Sequence, residues 1–247
     1  MKKVAVFADQ DVGLEVVRFL LENRREEVLL VVTTAQNEIF DISTKHQCKT
    51  VLSSEITELN AGQIIEDIDF IFLAWWPRIV KKYIIDSARE GVINFHPSLL
   101  PYNRGKHYNF WTIVEDSPFG VTLHFVDEGV DTGDIIFQKK IQKSWEDTGE
   151  TLYHKAKSEM LALFKESYEK ILSGNFEKIK QEPGAGSMHY SKELDGACEI
   201  DLDKTYTARE LLNIMRARTF TGKPGSFFYD NGIKYEINIA INQIDKS

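Results

Sequence analysis

The sequence predicts an α/β protein: a mainly parallel sheet carrying helices, followed by a small extension made of a helix and a β-hairpin. Three observations carry that reading. Short apolar runs bounded by turn residues alternate with segments whose apolar residues recur at helical spacing, the pattern of a parallel sheet joined by right-handed crossovers. Polar residues with useful chemistry stand directly after several of those runs, where the strands of an open α/β sheet end and ligands bind. Pro183-Gly184-Ala185-Gly186-Ser187 is the clearest break in composition and reads as a linker. It gives residues 1–182 as one domain and 183–247 as the extension.

Lys3 to Ala8 reads as a first buried strand, Asp9 to Gly13 as a turn, and Leu14 to Leu21 as a helix with Val16, Val17, Leu20 and Leu21 on its apolar face. Only Gly13 remains of a glycine-rich loop, so the dinucleotide fingerprint is absent and a nicotinamide cofactor loses its main support. Val28 to Thr33 is a second strand and Cys48 to Leu52 a candidate third. Asp69 to Ala74 is another, leading into Trp75-Trp76-Pro77-Arg78. Ile79 to Arg89 is expected to be a helix that delivers the chain to a strand at Val92 to Phe95. His107 to Val114 resumes helical spacing, Gly120 to Val126 alternates as a strand containing His124, and Asp134 to Lys140 returns to the sheet. Thr151 to Leu172 is a long amphipathic helix that Gly174 stops.

In the extension, Thr207 to Arg218 is helical, and Ser226 to Tyr229 with Lys234 to Ile241 forms a hairpin turning at Asp230-Asn231-Gly232. Tyr235, Ile237, Ile239 and Ile241 share one face of that last strand. Such an apolar row invites a dimer contact or docking on the main domain.

A formal net charge of −8 argues against a partner held through phosphates over a wide face, so nucleic acid is not expected. A pocket for a single diphosphate stays open. Cys48 and Cys198 lack any paired spacing, so neither a disulfide framework nor a zinc site is expected, and no metal is required. With no signal-like segment and no apolar stretch long enough to span a bilayer, a soluble cytoplasmic protein without a membrane partner is expected.

The chemistry concentrates in residues 92–106, Val-Ile-Asn-Phe-His-Pro-Ser-Leu-Leu-Pro-Tyr-Asn-Arg-Gly-Lys, and in Asp131-Thr132-Gly133-Asp134. The prolines end the strand, so Asn94 and His96 fall at its carboxyl end. An amide, an imidazole and a carboxylate are the groups that hold an oxyanion, move a proton and orient the imidazole. Asp127 to Asp134 is rich enough in oxygen to hold a cation, but it lacks the closing Glu of an EF-hand, so calcium is not expected.

Asn94-x-His96-Pro-Ser-Leu-Leu-Pro, followed by Gly120-Val-Thr-Leu-His-Phe-Val and Asp131-x-Gly133, resembles the formyltransferases that use 10-formyltetrahydrofolate. The strongest motifs lie between Asn94 and Ile136. The resemblance implies a Rossmann-like core, transfer of a formyl group from that folate cosubstrate to an amine, and Asn94, His96 and Asp131 as catalytic residues. Asn94 would donate to the oxyanion, a contribution of roughly 3 kcal/mol for one such donor. His96 would take the proton of the amine or, charged, stabilise the oxyanion. Asp131 would raise the pKa of His96 and fix its tautomer, or relay a proton to the leaving nitrogen.

Trp75, Trp76, Arg104, Gly105, Asp127 and Gly133 would line the folate pocket, with Arg78, Lys106 and His124 toward the acceptor. Arg216-Ala-Arg218-Thr-Phe220 and Lys223-Pro-Gly-Ser-Phe-Phe are similar to the short extension of sugar N-formyltransferases. That likeness implies a nucleotide-linked amino sugar as acceptor, with a dTDP-4-amino-4,6-dideoxyhexose favoured, and a role in lipopolysaccharide O-antigen or other surface polysaccharide biosynthesis; the apolar row of the final strand is the ground for expecting a homodimer. Arg216, Arg218 and Lys223 are candidates for the nucleotide's charge, and Phe220 for stacking on its base. Glycinamide ribonucleotide and methionyl-tRNA are the alternative acceptors, and a folate- or nucleotide-binding module without catalysis is the alternative class. The hairpin speaks against the first, the short tail and acidic balance against the second, and the intact Asn, His and Asp against the third.

Overall fold

The structure is a computed structural model and describes residues 1–244. The last three residues of the expected extension lie outside the described residues. In chain order the elements are β1 (Val4–Ala8), α1 (Gln10–Asn23), β2 (Val28–Thr33), α2 (Glu38–Lys45), β3 (Lys49–Leu52), α3 (Ala61–Ile64), β4 (Phe70–Ala74), α4 (Lys82–Ile85) and β5 (Gly91–His96). There follow β6 (Arg104–Gly105), α5 (Tyr108–Val114), β7 (Phe119–Phe125), β8 (Ile135–Ile141), α6 (Gly149–Leu172), β9 (Met188–His189), α7 (Leu194–Cys198), α8 (Ala208–Arg218), β10 (Ser226–Asp230) and β11 (Ile233–Ile237).

Seven strands form one sheet in the order β3-β2-β1-β4-β5-β7-β8. The strands from β3 to β5 run parallel, and β7 joins β5 antiparallel. This is the mainly parallel, Rossmann-like arrangement the sequence predicts. Every residue of β1 and β4 is buried, as uninterrupted apolar strands covered on both faces must be. Among the described residues no helix is long and apolar enough to cross a membrane.

The chain divides into two compact units. The first comprises Met1–His96, Thr122–Phe137 and Met160–Gln181. Its core is an aromatic cluster in which Phe164 lies 5.2 Å from Phe72 and 4.9 Å from Phe95, with Tyr168 5.5 Å away. Phe95 thereby anchors β5 on one face. Alternation along a strand sends Asn94 and His96 to the other.

The second unit comprises Pro97–Val121, Gln138–Glu159 and the chain from Glu182 onward. Its loops are tied by Asn103, whose side-chain oxygen accepts from Thr112 and Ser117 while its amide donates to Glu115. Gly105 runs so close to β9 that a Cβ would collide with the His189 carbonyl, which only glycine permits.

Several elements differ from the sequence expectation. α1 begins four residues early, because Asp9 caps it by accepting from the Gln10 N–H at 2.7 Å. The expected helix over Ile79–Arg89 contracts to α4. Ile79 is exposed, and beyond α4 the Ser87 hydroxyl and N–H both donate to the Ile84 carbonyl, closing the turn. The last strand stops at Ile237, leaving Ile239 and Ile241 outside β11. Its partner β10 begins at Ser226, preceded by Pro224, which has no N–H to extend the ladder. α2, α3 and α7 have no counterpart in the sequence reading.

Candidate active site

The register of β5 against β7 builds the site. Asn94 pairs with His124 and His96 with Thr122, so the amide and the second imidazole are cross-strand neighbours on one face. The loop between β7 and β8 brings Asp131 over them. His96 and His124 are almost wholly buried and Asn94 is half-buried, while the Asp131 side chain keeps 13% of its surface exposed. One carboxylate oxygen lies 3.4 Å from His96 Nδ1; the other accepts from Asn94 Nδ2 at 3.2 Å and stands 3.6 Å from His124 Nε2.

Asp131 holds this position with φ +55°, a left-handed conformation that Asp tolerates better than most residues. Gln181 supports it by donating its side-chain amide to the main-chain carbonyls of Asp131 at 2.9 Å and Gly133 at 2.8 Å. At Gly133 a Cβ would run into the Phe125 carbonyl, so glycine is what lets the loop close over β7. Asp127 shapes the same loop, accepting from the Thr132 hydroxyl at 2.6 Å and the Gly129 N–H at 3.0 Å.

The remaining expected residues separate between the units. In the first, Trp75 follows β4 with φ +53°, a costly conformation for a bulky side chain, and is half-buried. Trp76 packs edge-on against Phe7 at 5.3 Å and belongs to the core. Arg78 is exposed and donates to the Ser53 hydroxyl at 2.9 Å.

In the second unit, Arg104 is buried and donates to the Ala185 carbonyl at 3.1 Å. Lys106, Arg218 and Lys223 converge on His107, whose imidazole is held below its ordinary pKa by burial first and then by those three cations. Lys223 sits over the Phe220 ring at 4.1 Å, and the Arg218 Nε has no hydrogen-bond partner among the described residues. Arg216 stands apart from this group. It is buried, bonded through Nε to Asn213 and through Nη1 to the carbonyls of Ser144, Trp145 and Asp147, with its guanidinium over the Trp145 ring.

Two participants escaped the sequence reading. His107 was adjacent to the basic turn and read only as the start of a helix. Gln181 carries no signal at all, because its two partners lie about fifty residues away and involve main chain alone. Among the described residues no cluster of three or more His, Cys, Asp or Glu could hold a metal ion.

Comparison with known proteins identifies the family. Residues 3–166 match the formyl transferase family, and residues 193–243 match the N-formyltransferase dimerization C-terminal domain. The chain is similar to methionyl-tRNA formyltransferase of Thermodesulfovibrio yellowstonii, 31% identical over 67% of this chain and 53% of that protein, so it spans about half the length of that relative. It is 25% identical to dTDP-4-amino-4,6-dideoxyglucose formyltransferase of Mycobacterium tuberculosis over 81% of this chain and 89% of that one. Among solved structures, a 4-N formyltransferase from Francisella tularensis superposes with a TM-score of 0.80 at 26% identity, covering 98% of this chain and 99% of the other. With the family match running through the strand and loop that carry Asn94, His96 and Asp131, the chain belongs to the formyl transferase family.

Proposed function

We propose that the protein transfers the formyl group of 10-formyltetrahydrofolate to the amine of a nucleotide-linked amino sugar, with a dTDP-4-amino-4,6-dideoxyhexose as acceptor. The observation that carries this reading is the meeting of Asn94, His96 and Asp131 at the carboxyl end of β5. Attack of an amine on the formyl carbon creates a tetrahedral intermediate with an oxyanion and a cationic nitrogen. An amide N–H from Asn94 stabilises the oxyanion. With Nδ1 turned to Asp131, proton exchange between His96 and the reacting groups falls to Nε2. The attacking nitrogen, cationic once bonded to carbon, loses a proton to that imidazole, and the leaving folate nitrogen gains one as its carbon–nitrogen bond breaks.

The strained, half-buried Trp75 serves as the flat wall for the folate ring, while the packed Trp76 supports it from the core. Asp127 and Gly133 act through the loop they shape, and Arg104 and Gly105 through the β6–β9 pair. Arg78, exposed in the first unit, is a cation available to the acceptor. In the second unit, Lys106, Arg218 and Lys223 supply concentrated positive charge for a diphosphate around the neutral His107, and Phe220 a face for the base. Arg216 is left out of these contacts because its Nε is bonded to the Asn213 side chain and its Nη1 to carbonyls of its own unit.

The similarity to a dTDP-sugar formyltransferase along most of both chains supports the acceptor. The match to a dimerization domain, with Tyr229, Ile233 and Tyr235 exposed on the hairpin, supports a homodimer. A cytoplasmic place in surface polysaccharide biosynthesis follows from that acceptor class. The test is a formyl-transfer assay with 10-formyltetrahydrofolate against dTDP-, UDP- and GDP-linked amino sugars, with glycinamide ribonucleotide as control. Formylation of one nucleotide sugar, dependent on His96, supports the proposal; turnover of the control alone overturns the acceptor assignment.

A further inference from the structure

The hydrogen bonds around Asn94 determine one another. Asp131 Oδ1, as a carboxylate oxygen, only accepts, so the Asn94 atom beside it is the amide nitrogen. The Phe125 carbonyl likewise only accepts, so His124 Nδ1, 2.7 Å away, carries a proton. A neutral His124 ring then has its lone pair on Nε2, where it receives the Asn94 N–H at 3.2 Å. Gly133 completes the chain, because any side chain there would displace the carbonyl that fixes the tautomer.

The distances say more. Nδ2 lies 3.2 Å from each acceptor, and the two acceptors are 3.6 Å apart. The angle they subtend at Nδ2 is about 70°, whereas the two hydrogens of an amide diverge by about 120°. Both acceptors therefore hold the amide nitrogen from the same side, at lengths near the upper end of the normal range.

We propose that His124 is a positioning residue for Asn94: as the neutral Nδ1–H imidazole it accepts from the Asn94 amide and, with Asp131, fixes the direction in which that amide meets the oxyanion. The residue acts through Asn94, a role different from the acceptor-side one expected from sequence. This proposal rests on the formyl-transfer reading. A protonated ring would reverse the arrangement, with Nε2–H unable to accept and aimed instead at Asp131. The titratable groups facing the ring are Asp131 of the loop and His96 of β5, whose ring centre is 6.2 Å away.

Two measurements test it. Nitrogen-15 NMR of the histidine-labelled wild-type protein at neutral pH is expected to show His124 protonated at Nδ1 and bare at Nε2. An Nε2–H tautomer or an imidazolium overturns the proposal, whatever the enzyme's substrate. In steady-state kinetics, His124→Phe is expected to lower kcat about ten- to a hundredfold, with KM for both substrates within about twofold. His124→Gln, which keeps an acceptor, is expected to recover part of the loss. The His124→Phe change should add nothing in an Asn94→Ala background; additive losses would show that it acts elsewhere and overturn the proposal. Should the wild type transfer no formyl group, the functional reading falls, while the NMR result still decides the tautomer.

Discussion

Replacing Asp131 with Asn removes one charge and almost nothing else. The two side chains have the same shape, and Asn accepts the φ of +55° as readily as Asp. Gln181 binds main-chain carbonyls, so its support of the loop survives the change. What is lost is chemical. The carboxylate accepts from Asn94 at 3.2 Å with one oxygen and faces His96 Nδ1 at 3.4 Å with the other. An amide offers one acceptor, so its NH2 must oppose either the Asn94 amide or His96. At about 1.5 kcal/mol for each lost charge-assisted bond, the site forfeits roughly 3 kcal/mol of orientation. If the transition state bears that whole loss, kcat falls about a hundredfold. The assay is the initial rate of formamide formation at saturating folate and sugar, beside a thermal melt. A folded Asp131→Asn variant with kcat within about threefold of wild type would refute the reasoning.

Three further outcomes follow from the structure. Gly133→Ala forces a Cβ against the Phe125 carbonyl and should lower the melting temperature together with kcat, whereas the same change at the unobstructed Gly196 should do neither; equal melts for the two variants would contradict the geometry. Arg216→Met leaves the carbonyls of Ser144, Trp145 and Asp147 without their donor and should cost about 2–3 kcal/mol in denaturant unfolding, while KM for the acceptor stays near wild type. At Asp147, burial works to raise the carboxyl pKa, but bonds from Lys155, the Ser144 N–H and Thr151 outweigh it and hold the pKa below its ordinary 3.8. A depressed folded value contributes stability above the ordinary pKa and loses it as pH falls through the folded one. Asp147→Asn should therefore destabilise at pH 7, with the gap to wild type closing on acidification below about pH 4. A gap that persists in acid would show that packing, not charge, holds this residue.

The parts of the fold legible in the sequence are those decided by local patterning. β1, β2, β4 and β5 read directly as apolar runs, and α6 as a long amphipathic helix, because burial on both faces or on one stripe leaves a periodic mark. The contraction of Ile79–Arg89 was not legible: its apolar spacing suits a helix, and the exposure of Ile79 and the bonds from Ser87 at the carboxyl end appear only in the folded chain. β11 looked longer than it is because its own alternation continues while its partner strand begins after a proline. At the site, Asn94, His96 and Asp131 were visible as reactive residue types in a recognisable order. The role of His124 was hidden, since it depends on which atom faces Asn94 across the ladder. Arg216 and Arg218 look equivalent two residues apart, yet only the folded chain shows the first spent on carbonyls and the second beside Lys106, His107 and Lys223.

The most direct test of the central claim is to follow a carbon-13 formyl label from 10-formyltetrahydrofolate into a dTDP-linked 4-amino-4,6-dideoxyhexose, with wild type and His96→Ala compared side by side by NMR. The account predicts that the label appears as a formamide on the sugar nitrogen with wild type and stays on the folate with a folded His96→Ala protein. Label reaching the sugar equally fast with both proteins, or released only as formate, would contradict it.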